Sequence, residues 1–141
     1  MLQRLQRGHP IEDLATVATG AEVVACQEAI REVFLDDKIR RYILQLVHAT
    51  REHSDVQLGG SPRASIALFR TAQAFAAIGG RNYVLPDDVK RMVLPVLGHR
   101  LILRPESRIR KITPASVLHE IVSEVSAPVP PAREDAKDAF A

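Results

Sequence analysis

Residues 59–78 read GGSPRASIALFRTAQAFAAI, and this stretch decides the fold. Two glycines interrupt whatever precedes them. Ser61 is a strong helix N-cap, and Pro62 is pre-organised for the first helical position. From there Ala64, Ile66, Ala67, Leu68, Phe69, Ala72, Ala74, Phe75, Ala76 and Ile78 leave so little polar surface that the helix is expected at the buried centre of a helical bundle. Phe69 and Phe75 are its largest expected anchors, each costing about 3–5 kcal/mol on truncation to alanine.

Reading outward, Gly79-Gly80 ends the central helix. Tyr83-Val84-Leu85 is a short extended piece. Pro86-Asp87-Asp88 opens a further helix carrying Val89, Met92 and Val93, which Pro95 is expected to break or bend. Leu101-Ile102-Leu103 is a second extended piece, with residues 83–85 as the candidate partner in a small ribbon. Residues 104–112 read as a basic loop. Thr113-Pro114 caps a last helix through Val125. Upstream, Asp36 opens a helix in which Ile39, Ile43, Leu46 and Val47 recur at helical spacing, with Arg51 and His53 at its end, so both ends suit the helix dipole. Before it, Thr19 and Glu22 stand at capping-box spacing ahead of a helix reaching about Val33. Its apolar residues include the single Cys26, expected on a buried face. The fold class is therefore all-α: a small bundle of about five helices, with room for a short two-stranded ribbon. Residues 1–19 are an approach segment, and 127–141 (APVPPAREDAKDAFA) lack a core pattern and are expected to be a disordered tail.

Composition narrows the function classes. The 141 residues are 46% hydrophobic and 26% charged, which suits one self-sufficient globular core. No apolar run approaches the roughly 18 residues of a membrane span, and MLQRLQRGHP is no signal peptide, so a cytoplasmic chain without a membrane partner is expected. Of 19 cations, 15 are Arg, which favours planar contacts with carboxylates or phosphates.

The usual catalytic constellations are missing. There is no GxxxxGK[ST] phosphate loop, and no HExxH or other strong zinc spacing among His9, His48, His53, His99 and His119. His48 and His53 are expected to be solvated. Asp36-Asp37 and Asp87-Asp88 look like acid pairs, yet each opens a helix, where the dipole accounts for them. A metal site is not expected.

Arg63 resists so plain an account. A cation at the second position of a helix opposes the dipole by about 0.3–1 kcal/mol at an exposed site. The arrangement becomes sensible if an anion sits there, because free N–H groups, the Ser61 hydroxyl and a guanidinium fork could converge on it. Ala67, Arg70, Ala74 and Ala77 continue the same face. Alternatively the alanines allow close helix packing while the arginines pair with surface carboxylates, and the residues alone support both readings.

Residues 59–64 (GGSPRA), 81–89 (RNYVLPDDV) and 95–100 (PVLGHR) together resemble, in order and spacing, the helical lid subdomain of MoxR-type AAA+ ATPases. Upstream, HPIEDLATV and VVACQEAIREVFLDD resemble the linker and first lid helices, so the likeness runs over roughly residues 8–125. It implies that residues 1–19 lead from an AAA+ core, that 20–126 form the lid, and that the lid closes over ATP, with Mg²⁺ supplied at the core. It assigns the sensor 2 role, contact with the γ-phosphate, to Arg63, with Ser61, Pro62 and Ala67 beside the nucleotide. It also implies a core domain and neighbouring protomers as partners in a homo-hexamer with chaperone-like work on a client protein. Walker A, Walker B, sensor 1 and an arginine finger are not in these residues. The sequence is therefore expected to be the C-terminal part of a longer protein or a truncated reading frame, with no turnover of its own. The rival reading is a freestanding helical nucleic-acid binder using Arg100, Arg104, Arg108, Arg110 and Lys111 on phosphates, disfavoured by the scarcity of aromatics for stacking.

Overall fold

The computed structural model describes residues 14–129. Among these residues six α-helices stand in the order α1 (Gly20–Arg31), α2 (Asp37–Glu52), α3 (Pro62–Ile78), α4 (Pro86–Leu97), α5 (Pro105–Ile109) and α6 (Pro114–Glu124), with a 3-10 turn, Gly98–Arg100, directly after α4. A small antiparallel ribbon joins β1 (Val56–Leu58), between α2 and α3, to β2 (Ile102–Leu103), after α4. The all-α bundle with a two-stranded ribbon is therefore observed.

Local chemistry sets the helix starts. Thr19 Oγ1 accepts from the Glu22 N–H at 3.2 Å while the Glu22 carboxylate accepts from the Thr19 N–H at 2.6 Å. These bonds to Thr19 hold the Glu22 carboxyl below its ordinary range. Asp36 accepts from the Lys38 N–H at 2.6 Å, and Thr113 from the Ser116 N–H at 3.1 Å. The core lies where α2, α3, α4 and α6 meet. It contains Ile43, Leu46 and Val47 of α2, Leu68 and Ala72 of α3, Val89 and Val93 of α4, and Val117, Leu118 and Ile121 of α6. Gln73, buried on α3, donates from Nε2 to the Val33 carbonyl at 2.8 Å and so ties down the connector between α1 and α2.

Several expectations need correction. The ribbon partner of residues 102–103 is β1; Tyr83 instead forms an isolated parallel bridge with Phe34. A three-residue strand is too short to show alternation, so β1 left no periodic signal. Residues 104–112 are not simply loop, since α5 forms there behind Pro105 at its first position. Pro95 does not break α4, which runs to Leu97: so near the helix end its missing N–H removes a single bond. Cys26 is exposed, and α1 buries no residue at all. α3 is central but buries only one face, leaving Ile66 63% and Ile78 85% exposed. Of the tail expected over 127–141, Ala127 packs against the core and residues 130–141 lie outside the described residues, as do 1–13 of the approach segment.

Candidate functional site

The start of α3 is built from α2 upward. Thr50, fully buried near the end of α2, accepts the Gly60 N–H at 2.8 Å and donates its own proton to the Val47 carbonyl at 2.6 Å. Arg51 Nε donates to the Gly60 carbonyl at 2.6 Å. At Gly59 an added Cβ would lie 2.6 Å from the Thr50 carbonyl oxygen, so only glycine lets the chain pass this close to α2. Gly59 therefore permits a close approach to the backbone of α2, while Gly60 sits against the side chains of Val47, Thr50 and Ala64.

Beyond the turn, Ser61 has extended N-cap geometry (φ −80°, ψ 170°), but its side chain makes no cap hydrogen bond. Its carbonyl accepts from the Ala64 N–H at 2.8 Å. The first turn of α3 carries no acidic residue. Ser61, Pro62 and Arg63 are all exposed, and Arg63 has no ion pair or side-chain hydrogen bond among the described residues. The structure thus brings three of the four expected residues together at one accessible helix end. Ala67, one turn on, is half-buried and packs against the core, as does Ala77. Arg70 lies further along, its guanidinium 5.5 Å from the Phe69 ring centre. A further expected outcome concerns Ser61. Because its hydroxyl caps nothing, Ser61→Ala should change stability by less than about 0.5 kcal/mol, against about 1 kcal/mol for Thr113→Ala, as urea melts of the two variants can show.

The acid pairs divide as the geometry dictates. Asp37 pairs with Arg40 at 2.8 Å and Asp87 with Lys90 at 3.2 Å, both on the surface. Asp88 is different: the Arg81 fork reaches its two oxygens at 2.6 and 2.7 Å, and the Leu85 N–H donates to it at 2.8 Å. Burial alone would raise the Asp88 carboxyl, but the Arg81 bonds, the Leu85 N–H and the charges of Arg81 and Arg91 together hold it below its ordinary range. This fork spans the 81–89 motif and closes the turn between α3 and α4.

His53 corrects a second expectation. Its side chain is only 9% exposed; Nδ1 accepts from the Asp55 N–H at 3.2 Å and Nε2 faces Glu120 at 3.5 Å. Among the described residues no three His, Cys, Asp or Glu side chains gather as metal ligands. In the basic segment, Arg100 donates to the Val96 carbonyl, and Arg110 pairs with Asp55 at 2.5 Å, while Arg104, Arg108 and Lys111 are exposed. Sequence reasoning missed Thr50 and Arg51. The available signal was a threonine in phase with Leu46 and Val47 on the apolar face of α2, which marks it for burial without naming Gly60 as its partner.

A model of the AAA lid domain family matches residues 48–121. The chain belongs to the AAA lid domain family. Three relatives sharpen the placement. The lid is 40% identical over 129 residues to the uncharacterized protein YeaC of Bacillus subtilis, covering 92% of this chain and 40% of that protein. It is 31% identical over 121 residues to the chaperone MoxR1 of Mycobacterium tuberculosis, covering 79% and 32%. Among solved structures it matches a candidate ATPase from Cytophaga hutchinsonii with a TM-score of 0.69 and 32% identity, covering 72% of this chain and 34% of that one. These likenesses fit a MoxR-family AAA+ lid, and the lid spans between 32% and 40% of the length of these three relatives. Among its described residues no helix is long and apolar enough to cross a membrane.

Proposed function

We propose that this lid closes over ATP and Mg²⁺ held by an AAA+ core joined to it through residues 1–19, as part of a cytoplasmic, chaperone-like MoxR-type homo-hexamer, with Arg63 in the sensor 2 role. The observation that carries the reading is the accessible, uncapped start of α3, with an unpartnered arginine at its second position and no carboxylate in its first turn. Those features suit a phosphate. The unbonded Arg63 N–H and the positive end of the dipole favour negative charge, and the guanidinium offers a fork of donors to it. ATP bound at the core would supply the γ-phosphoryl group for transfer to water. The lid's own part is to bring Arg63 to where negative charge accumulates and to cover the site from solvent. Ser61 and Pro62 border the same space, and Ala67 belongs to the packing that supports it.

The test joins this chain to the remainder of the Cytophaga relative in place of its matching segment. A charge-assisted hydrogen bond is worth about 1.5–3 kcal/mol, so Arg63→Ala should lower kcat for ATP by about 10- to 100-fold. Arg70→Ala, roughly 10 Å further along the helix, should change it less than about 3-fold. The isolated chain carrying Arg63→Ala should melt at the same temperature or slightly higher, since a cation leaves the positive end of the dipole. A destabilised chain together with unchanged hydrolysis would remove Arg63 from the site.

A further inference from the structure

The start of α3 is held from outside. In α1, α2 and α6 an N-cap side chain accepts a backbone N–H of its own first turn. In α3, as in α4 and α5, it does not, although Ser61 has both a hydroxyl and the required backbone geometry. Pro62 has no N–H and the Ala64 N–H is bonded to the Ser61 carbonyl, so of residues 62–64 only Arg63 keeps an open N–H, and the stiffness that a side-chain cap normally lends is missing from the helix itself.

We infer that Thr50 and Arg51 of α2 are positioning residues for Arg63, forming a clamp on the peptide groups of Gly60 that replaces the missing cap and fixes where the α3 terminus points. The inference rests on the sensor 2 reading and extends it to two residues that touch no nucleotide. Both polar groups of Gly60 are taken by α2: its N–H by the Thr50 hydroxyl and its carbonyl by Arg51 Nε. The Thr50 proton is committed to the Val47 carbonyl, so the hydroxyl cannot rotate and its lone pair stays aimed at the Gly60 N–H. Gly60 itself is buried; a Cβ there would stand 3.0 Å from Val47 Cγ1 and 3.4 Å from Ala64 Cβ. With Gly59 against the Thr50 carbonyl, the two residues before Ser61 have little room to shift relative to α2. The clamp stops two residues short of Pro62, where α3 begins. It therefore sets the direction of the helix end without occupying any donor that a phosphate would use. A misplacement of about 1 Å at a reacting group can cost about 100-fold in rate, so a loosened clamp should register in hydrolysis although neither side chain reaches the reacting atoms.

The experiment combines backbone ¹⁵N relaxation on this chain with ATPase kinetics on the joined protein described above. Thr50→Val keeps the shape and removes the hydroxyl, Thr50→Ser keeps the hydroxyl, and Arg51→Met keeps the stem of an exposed side chain and removes the donor. Expected for Thr50→Val and Arg51→Met are lowered order parameters confined to residues 59–64, a fall in kcat of about 10-fold, and KM for ATP within about 2-fold of the parent. Thr50→Ser should behave as the parent. In an Arg63→Ala background neither substitution should lower kcat further, because what they position is already gone. An equal loss in both backgrounds, or loosening of 59–64 with kcat unchanged while Arg63→Ala still lowers it, would overturn the clamp and leave the sensor 2 reading standing. Unchanged kcat for Arg63→Ala itself would overturn that reading, and the positioning role with it. If Thr50→Val does not fold, Arg51→Met decides by the same criteria.

Discussion

Arg81→Ala is expected to destabilise the lid by about 3–5 kcal/mol, because it strands a carboxylate in the interior. The Asp88 side chain is 5% exposed and that of Arg81 25%, so the two halves of the fork are not equivalent. Removing Asp88 leaves a guanidinium that water can partly reach. Removing Arg81 leaves an anion with the Leu85 N–H as its remaining hydrogen-bond donor. Asp88→Ala should accordingly cost less, about 2–3 kcal/mol. The pH dependence carries the signature. In the parent, the folded Asp88 pKa lies below its unfolded value, so the fork's contribution is complete above about pH 4 and is lost as pH falls through the folded value. In Arg81→Ala, burial dominates and the folded pKa rises above the unfolded one, so protonation relieves the folded state as pH falls. The stability gap between parent and variant should therefore narrow on acidification from pH 7 to pH 4 in urea melts; a gap constant across that range would mean the pair is not coupled to folding.

Leu68→Ala should cost a similar amount, about 2–5 kcal/mol, since Leu68 is fully buried between α3 and the rest of the core. Phe69 and Phe75, which the sequence nominated as anchors, should cost less, about 1–2 kcal/mol each. Phe69 is half-buried with Arg70 over its ring, and Phe75 is half-buried with Arg91 5.8 Å from its ring centre. Denaturant melts that ranked Phe75→Ala above Leu68→Ala would show that α3 is seated differently.

What the sequence reveals and what it hides divide along a physical line. Helix starts depend on a few adjacent residues, so Thr19 with Glu22, Asp36, and Thr113 with Pro114 were all legible as caps. Partners far apart along the chain were not. β1 meets β2 across more than forty residues, and nothing in VQL marks it for pairing with Ile102-Leu103 instead of Tyr83-Leu85. Asp87 and Asp88 look identical in sequence, yet one is a solvated dipole partner and the other the buried half of a fork. Apolar periodicity marks a face without naming what covers it. That is why the face of α1 bearing Cys26 read as core and stands exposed in this chain. At the site, Arg63 was legible because a cation at a helix N-terminus opposes the dipole. The grip of Thr50 and Arg51 on Gly60 was not, since it exists only once α2 and α3 are packed.

The central claim, that the α3 terminus faces the terminal phosphate of a nucleotide, is tested most directly by a structure of the joined protein with a non-hydrolysable ATP analogue and Mg²⁺. The account predicts an Arg63 guanidinium nitrogen about 2.7–2.9 Å from a γ-phosphate oxygen, with Gly60 still bonded to Thr50 and Arg51. An ordered nucleotide in a closed site with Arg63 turned to solvent or paired with a surface carboxylate would contradict it.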